Sequence, residues 1–86
     1  MENLVILDIG SNSVRMAINQ ISADGSYREI KRIKSDSRLS EGMGRGKILQ
    51  PAAMERTIES LADFKQIYSQ YQDKRVIGIA TAACLL

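Results

Sequence analysis

The order of apolar and polar positions along the chain predicts three strands, a helix and a fourth strand. Residues 4–7 are aliphatic without interruption, which is typical of a strand buried on both faces of a sheet. In residues 14–19, Val, Met and Ile alternate with Arg, Ala and Asn, as in a strand with two unlike faces. The two segments are close enough along the chain to pair through one polar turn.

The third strand is predicted at residues 27–34, after a hairpin turn at residues 23–26 that contains Asp-Gly. Strict alternation puts Ile30 and Ile33 on opposite faces, so that neither face is cleanly apolar. That pattern indicates a solvated edge strand, whose charges oppose aggregation. Residues 36–49 are polar and rich in glycine, which predicts a mobile loop.

A long amphipathic helix is predicted to begin at Pro51, because proline is favoured at the first helical position. Apolar residues then recur at steps of three and four and define one stripe, which we interpret as the face that packs on the sheet: Met54, Ile58, Leu61, Phe64, Tyr68 and Tyr71. Residues 76–80 predict another buried strand. Because a helix leads into it, we expect this strand to pair in parallel with the first one through a right-handed crossover.

The residues after the first strand carry the candidate chemistry. Asp8 ends the apolar run, and a carboxylate there is costly unless it is paired, hydrogen-bonded or bound to a cation. Gly10 permits a positive φ and close approach to the backbone, while Ser11, Asn12 and Ser13 supply hydroxyls, an amide and successive N–H groups that suit a phosphate. An ordinary hairpin turn, in which Asp8 and Asn12 cap local N–H groups, explains the same residues, and spacing alone favours neither interpretation.

Composition limits the classes of function. With 86 residues, 44% of them hydrophobic and 26% charged, the chain is typical of one small soluble domain. It has no apolar run of about 20 residues and no secretory signal pattern, so we predict a cytoplasmic protein without a membrane association. A single cysteine, Cys84, and no histidine exclude an internal disulfide, a Cys/His zinc cluster and a histidine base.

The glycine-rich segment at residues 42–47 is not a nucleotide P-loop. That motif needs a glycine where the chain has Glu41 and a serine or threonine where it has Ile48. The dinucleotide fingerprint also fails, since the glycines are spaced as Gly-x-Gly-x-Gly.

Residues 8–16, DIGSNSVRM, resemble the first phosphate motif of the exopolyphosphatase and guanosine pentaphosphate phosphohydrolase family, within the actin-like ATPase superfamily. A second segment matches the family pattern of Arg-Leu, Glu-Gly and a following Gly: Arg38, Leu39, Glu41, Gly42 and Gly46. The end of the last strand departs from the family, because Ala82 replaces a serine and Leu85 replaces an arginine.

The resemblance implies an α/β fold, namely a truncated ribonuclease H-like (actin-like ATPase) domain with three antiparallel strands, a helix and a parallel strand. Residues 1–86 would form the N-terminal part of the first such domain. The implied activity of the longer protein is removal of terminal phosphate from inorganic polyphosphate or guanosine pentaphosphate, with Mg²⁺ as cofactor. The family's catalytic glutamate is expected beyond Leu86, so the 86-residue chain alone is expected to be inactive.

The resemblance also implies the roles of individual residues. Asp8 would hold the metal, and Arg15 and Arg38 are candidates for substrate contact. The expected phosphate-binding residues are Gly10, Ser11, Asn12, Ser13 and Thr81.

Two alternatives from other functional classes remain at this point. One is a noncatalytic polyanion-binding module, because residues 28–47 contain seven basic residues and only three acidic ones. The basic residues are Arg28, Lys31, Arg32, Lys34, Arg38, Arg45 and Lys47. A nucleic-acid partner is disfavoured, since Tyr27 is the only aromatic residue beside these charges and the net charge is only +2. The other alternative is a self-assembling unit whose unfinished sheet edge pairs with a second copy, and we therefore expect a homo-oligomer.

Overall fold

A computed structural model describes residues 2–44 and 48–80. The elements are the strands β1 (Glu2–Ile9), β2 (Val14–Ile21) and β3 (Tyr27–Ser35), the helix α1 (Pro51–Tyr68) and the strand β4 (Lys74–Ala80). The four strands form one sheet in the order β3-β2-β1-β4, with β4 parallel to β1 and the other pairs antiparallel. This architecture confirms the predicted α/β arrangement and the parallel pairing of the first and last strands.

The core lies on one face of the two central strands. Val5 from β1 and three alternate residues of β2, namely Val14, Met16 and Ile18, are fully buried there, and Phe64 of α1 packs onto them. Successive residues of a strand point to opposite faces, so Asp8, three positions after Val5, lies on the face that α1 does not cover. The sheet therefore has one face packed by the helix and one face free of it within the described residues.

The predicted helix stripe is wrong in the first half of α1. Met54 and Ile58 are exposed, Ile58 by 65%, and the buried face instead runs through Ala53, Thr57, Ser60 and Phe64. Small residues allow the helix to approach the sheet closely, and the Ser60 and Ser35 hydroxyls bond to each other at 2.7 Å. The Thr57 hydroxyl donates to the Ala53 carbonyl at 3.0 Å, so its burial leaves no unmet hydrogen bond. The second half of the predicted stripe is confirmed, because Phe64 lies in the core cluster and Leu61, Tyr68 and Tyr71 pack against it.

The prediction that β4 is a buried strand is also wrong for the residues described. Every residue of β4 is exposed, including Ile79 at 54%. The helix lies over β2 rather than over β4, which leaves the strand without cover. An apolar run indicates that a strand is suited to burial. Whether the strand is buried depends on which helices or strands pack against its faces.

A β-bulge in β3 changes the faces that simple alternation predicts. Ile18 pairs with Lys31 and Asn19 pairs with Glu29, so β3 contains one extra residue there, Ile30. As a result, Ile30 and Ile33 both pack against the core cluster. The position of β3 at the sheet edge is as predicted. No helix of the described residues is long and apolar enough to cross a membrane.

Candidate functional site

The turn between β1 and β2 is short and tightly closed. Ile9 pairs with Val14, which leaves four residues in the connection, and the Gly10 N–H donates to the Ser13 carbonyl at 2.9 Å. A Cβ atom on Gly10 would lie 2.9 Å from the same carbonyl oxygen, so a side chain there would force the backbone to move. Glycine is needed at this position for close approach. The expected use of a positive φ is wrong, since Gly10 is not among the described residues with that conformation.

The turn holds hydrogen-bond donors that are not used. Within residues 2–44 and 48–80, the backbone N–H groups of Ser11, Asn12 and Ser13 donate to no protein acceptor. Successive free N–H groups in a tight turn create a concave positive surface for an anion. These donors are what the phosphate interpretation of the sequence requires.

Asp8 stands beside this turn without a partner. It is partly buried, pairs in the sheet with Arg15 on β2 and with Ile79 on β4, and lies on the face not covered by α1. Among the residues described, its carboxylate accepts no hydrogen bond and forms no ion pair. The alternative in which Asp8 caps a local N–H group is therefore wrong for this part of the chain.

The predicted site residues near the turn share one hollow of about 210 Å³, lined by Asp8, Gly10, Ser11, Asn12, Ser13 and Arg15. An adjoining hollow of about 250 Å³ also contains Asp8 and Arg15 and reaches Arg32 on β3. The structure thus brings together six of the eight predicted residues. Of the other two, Arg38 contacts the turn through its backbone, and Thr81 lies outside the described residues.

A single carboxylate limits what metal the site could hold. Among the described residues, no three Asp, Glu, His or Cys side chains lie together in a way that could hold a metal ion. Mg²⁺ typically binds through one or two carboxylates together with water and substrate phosphates, rather than in an all-protein cage. An unpaired Asp8 next to free N–H donors fits that mode, in which the ion and the phosphate are bound together.

Residues 36–44 are packed against the turn, contrary to the prediction of a mobile loop. Ser37 and Leu39 are buried, with 1% and 4% of their surface exposed. The Arg38 N–H donates to the Asn12 carbonyl at 2.9 Å, and the Ser40 N–H donates to the Ser11 carbonyl at 3.0 Å. Composition predicted flexibility, whereas buried side chains and backbone bonds hold this segment in place.

Sequence reasoning missed Ser40 and Arg56, which join this loop to its neighbours. The Ser40 hydroxyl also donates to the Ser11 carbonyl, at 3.2 Å, and the Arg56 guanidinium donates to the Ser37 carbonyl at 2.9 Å. Neither residue belongs to a recognisable motif. Hydrophobic periodicity does not show which loop a polar helix residue will contact. The contact between Arg56 and Ser37, 19 residues apart in the chain, is therefore visible only in the folded structure.

Of the seven basic residues counted for a polyanion-binding surface, five are described and three of these are paired. Arg32 binds Glu29 through two hydrogen bonds, at 2.6 and 2.9 Å, which raises the pKa of Arg32 and lowers the pKa of Glu29. Lys34 and Arg38 form ion pairs as well, and two further members of the set, Arg45 and Lys47, lie outside the described residues. A basic side chain that is already paired with a carboxylate has less net charge to offer a polyanion, which disfavours a polyanion-binding surface here.

The sequence is similar to proteins of one phosphatase family. A model of the Ppx/GppA phosphatase family matches residues 5–84. A guanosine-5'-triphosphate,3'-diphosphate pyrophosphatase of Pseudoalteromonas translucida is 33% identical over 81 residues, which cover 94% of this chain and 16% of that protein. A bifunctional 3-dehydroquinate synthase/phosphatase of Fusobacterium nucleatum is 31% identical over 87 residues, which cover 90% of this chain and 12% of that protein.

The fold is also similar to that of solved Ppx/GppA family structures. The crystal structure of the Aquifex aeolicus member of the Ppx/GppA family matches 95% of this chain with a TM-score of 0.88 and 32% identity, and the match covers 26% of that structure. The chain thus spans between about one eighth and one quarter of the length of these relatives. Its mixed four-stranded sheet with one helix is the one found in the N-terminal domain of Ppx/GppA structures. The chain belongs to the Ppx/GppA phosphatase family.

Proposed function

We propose that the chain supplies the phosphate-binding turn of an enzyme that removes terminal phosphate from inorganic polyphosphate or from guanosine pentaphosphate. Residues 1–86 then form the N-terminal part of the first actin-like ATPase domain of a cytoplasmic enzyme. The observation that carries the proposal is the set of unused N–H groups at Ser11, Asn12 and Ser13, next to the unpaired carboxylate of Asp8.

In this proposal each residue has a separate task. The three N–H groups bind oxygens of a phosphate, and Arg15 adds positive charge at the rim of the same hollow. Asp8 fixes the position of Mg²⁺, which when bound neutralises charge on the phosphate oxygens. Phosphoryl transfer depends mainly on positioning and on charge stabilisation, so a turn rich in donors beside a metal-binding acid is suited to it.

The two proposed substrates share the part that the turn would bind. Inorganic polyphosphate and guanosine pentaphosphate both end in a phosphoanhydride, and the Pseudoalteromonas translucida relative is named for a guanosine substrate. The donors of the turn would contact this shared phosphate end, in the hollow that six of the predicted residues line. The choice between the two substrates is therefore assigned to residues outside this turn.

We further propose that the 86-residue chain alone does not turn over either substrate. Asp8 is the only carboxylate lining the described hollow, and it is assigned to the metal. Glu41 is not available as a base, because it is paired with Arg38 at 3.1 Å and with Arg56 at 3.4 Å. A positioned general base typically contributes about 10² to 10⁴ in rate, and none is present among the residues described.

Binding and turnover of long-chain polyphosphate test the proposal together. Wild type with Mg²⁺ is expected to bind the polymer without releasing phosphate, and Asp8→Ala is expected to lower the affinity about tenfold, as for loss of one charged contact. Asp63→Ala removes an exposed carboxylate on the far side of α1 and serves as the matched control. Unchanged affinity in Asp8→Ala would refute the metal role, and Asp8-dependent multiple turnover would show that the chemistry is complete within these residues.

A second proposal concerns assembly, and the exposure of β4 favours it. Among the described strands, β4 ends the sheet, so its outer backbone edge has no partner there. A two-fold pairing of this edge with a second copy would place the basic start of each strand opposite the apolar end of the other. Like charges would not meet, and the exposed side chains of Val76, Ile77 and Ile79 would gain cover.

Sedimentation at high micromolar concentration tests this assembly. We expect a dimer for wild type and a monomer for Ile79→Lys, because the substitution puts a charge on the exposed strand. Ile58→Lys is the matched control, since Ile58 is an isoleucine on α1 that is also more than half exposed. A wild-type protein that sediments as a monomer would refute the pairing.

A further inference from the structure

We infer that Arg56 is a positioning residue for the phosphate turn, because it holds residues 36–44 against the turn without touching the hollow itself. The inference rests on the proposed function, in which the turn binds phosphate. Arg56 lies in the second turn of α1. Among the described contacts, its guanidinium bonds to none of the residues that line the hollow beside Asp8.

The guanidinium of Arg56 makes three contacts with one short segment. Its Nε donates to the Ser37 carbonyl at 2.9 Å, and its Nη2 donates to the Arg38 carbonyl at 3.2 Å and to a Glu41 carboxylate oxygen at 3.4 Å. Only 30% of the Arg56 side chain is exposed. A planar guanidinium presents several donors in a fixed fork, so this one side chain sets the direction of two successive carbonyls.

The segment that Arg56 holds in turn holds the phosphate turn. The N–H of Arg38 donates to the Asn12 carbonyl, and the N–H and hydroxyl of Ser40 donate to the Ser11 carbonyl. Two adjacent carbonyls of the turn are therefore directed toward residues 36–44.

Because the Ser11 and Asn12 carbonyls are held by residues 36–44, peptide geometry also fixes the direction of the N–H groups that follow them. All described peptide bonds are trans, and in a trans peptide the N–H points opposite to the carbonyl of the preceding residue. With the Ser11 and Asn12 carbonyls directed at the loop, the N–H groups of Asn12 and Ser13 must point away from it. The hollow beside Asp8 is lined by residues of the turn and by none of the described loop residues, which is consistent with that direction.

The backbone conformation of residues 36–44 requires stabilising contacts such as those from Arg56. Arg38 has a φ of 51°, in the left-handed region that residues other than glycine seldom adopt. Such a conformation persists only where surrounding contacts fix it. The contacts on either side of this residue are the bond from its N–H to Asn12 and the bonds from Arg56 to Ser37 and Arg38.

The test compares Arg56→Lys with Arg75→Lys. Lysine at position 56 keeps the positive charge near Glu41 but loses the fork that spans two carbonyls. Arg75 is a surface arginine on β4 that pairs with Glu2 at 2.8 Å, and it lies far from the turn in the register of the sheet. We expect Arg56→Lys to weaken Mg²⁺-dependent binding of long-chain polyphosphate about tenfold, which corresponds to the loss of one charged hydrogen bond, and Arg75→Lys to leave it unchanged.

A second readout separates positioning from loss of stability. In the ligand-free protein, Arg56→Lys is expected to move the amide nitrogen and proton resonances of Asn12 and Ser13, while the resonances of the β2–β3 hairpin stay in place. Ser40→Ala removes only the hydroxyl bond to Ser11 and keeps the N–H bond. We expect it to move the same resonances by a smaller amount.

The outcomes distinguish the two proposals. Affinity within twofold of wild type in Arg56→Lys, or unmoved Asn12 and Ser13 resonances, would overturn the role of Arg56. If wild type does not bind polyphosphate, the proposed function fails, and the ligand-free resonances still decide whether Arg56 positions the turn. If Arg56→Lys does not fold, Arg56→Gln, which keeps an amide donor but loses the fork that spans two carbonyls, supplies the same test.

Discussion

The two hairpin turns of the sheet contain similar residues but use them in opposite ways. In the β2–β3 turn, the Asp24 carboxylate accepts hydrogen bonds from the N–H and the hydroxyl of Ser26, at 3.0 and 2.7 Å. Ser22 and Ser26 close the turn through a backbone bond of 2.8 Å, and Gly25 adopts a φ of +88°. Local groups therefore use the acceptors that this turn offers.

The β1–β2 turn keeps its acid and its donors free. The Asp8 carboxylate has no partner among the described residues, and neither do the N–H groups from Ser11 to Ser13. Its carbonyls are instead bonded by residues 36–44, which belong to a distant part of the chain. The β2–β3 turn therefore satisfies its own polar groups, whereas the β1–β2 turn is held by residues 36–44 and keeps its donors unused, as the proposed phosphate site requires.

Replacing the glycine of each turn should give the largest difference. Gly10→Ala places a Cβ atom 2.9 Å from the Ser13 carbonyl, so the backbone must shift, at a cost of about 3 kcal/mol in the free energy of unfolding and a loss of polyphosphate binding. Gly25→Ala meets no atom within 4 Å, and its positive φ costs about 1 kcal/mol. Urea denaturation and a binding titration measure both effects.

If Gly10→Ala binds polyphosphate as wild type does, the tight closure of the first turn is not required for its donors. If Gly25→Ala lowers binding as strongly as Gly10→Ala, the effect is a general loss of the fold.

Neutralising the acid of each turn should give an intermediate effect with opposite consequences. Asp8→Asn removes an unpaired charge from a partly buried position, so the free energy of unfolding should stay within about 0.5 kcal/mol of wild type or rise, while Mg²⁺-dependent binding falls. Asp24→Asn should lower stability and leave binding unchanged, because the Asp24 carboxylate accepts two hydrogen bonds. Thermal unfolding, together with titrations with and without Mg²⁺, would separate the two variants. Lower stability in Asp8→Asn would mean that this carboxylate supports the fold.

The sequence was sufficient for the strands and the turn because their signals are local. The aliphatic run in β1, the alternation in β2 and the polar residues from Gly10 to Ser13 are each read within a few positions. Six of the predicted site residues consequently lie together in the structure.

The parts that could not be predicted depend on distant contacts. The buried stripe of α1 uses Thr57 and Ser60 because their hydroxyls find partners, and hydrophobic periodicity does not register such residues. The loop at residues 36–44 is held by Leu39 in the core and by Arg56 from the helix, although its composition is that of a free loop. In each case a hydrogen bond between residues far apart in the chain contributes, from Ser60 to Ser35 in the helix and from Arg56 to Ser37 in the loop.

The smallest expected effect is the pH dependence that belongs to the structural turn. The hydrogen bonds from the side chain and backbone of Ser26 lower the pKa of Asp24 below its ordinary value. A carboxyl whose pKa is lower in the folded state contributes stability above the pKa of the unfolded state and loses that stability as the pH falls through the folded value. Because Asp24 is fully exposed, the contribution is small, and we expect it to appear as a slightly steeper fall of the melting temperature below about pH 4. Asp24→Asn should flatten that acid limb relative to wild type, whereas Asp63→Asn, which changes an exposed helix carboxylate without a described partner, should not. Equal slopes in wild type and Asp24→Asn would show that the Ser26 bonds do not persist in solution, and the contrast between the two turns would then rest on the first turn alone.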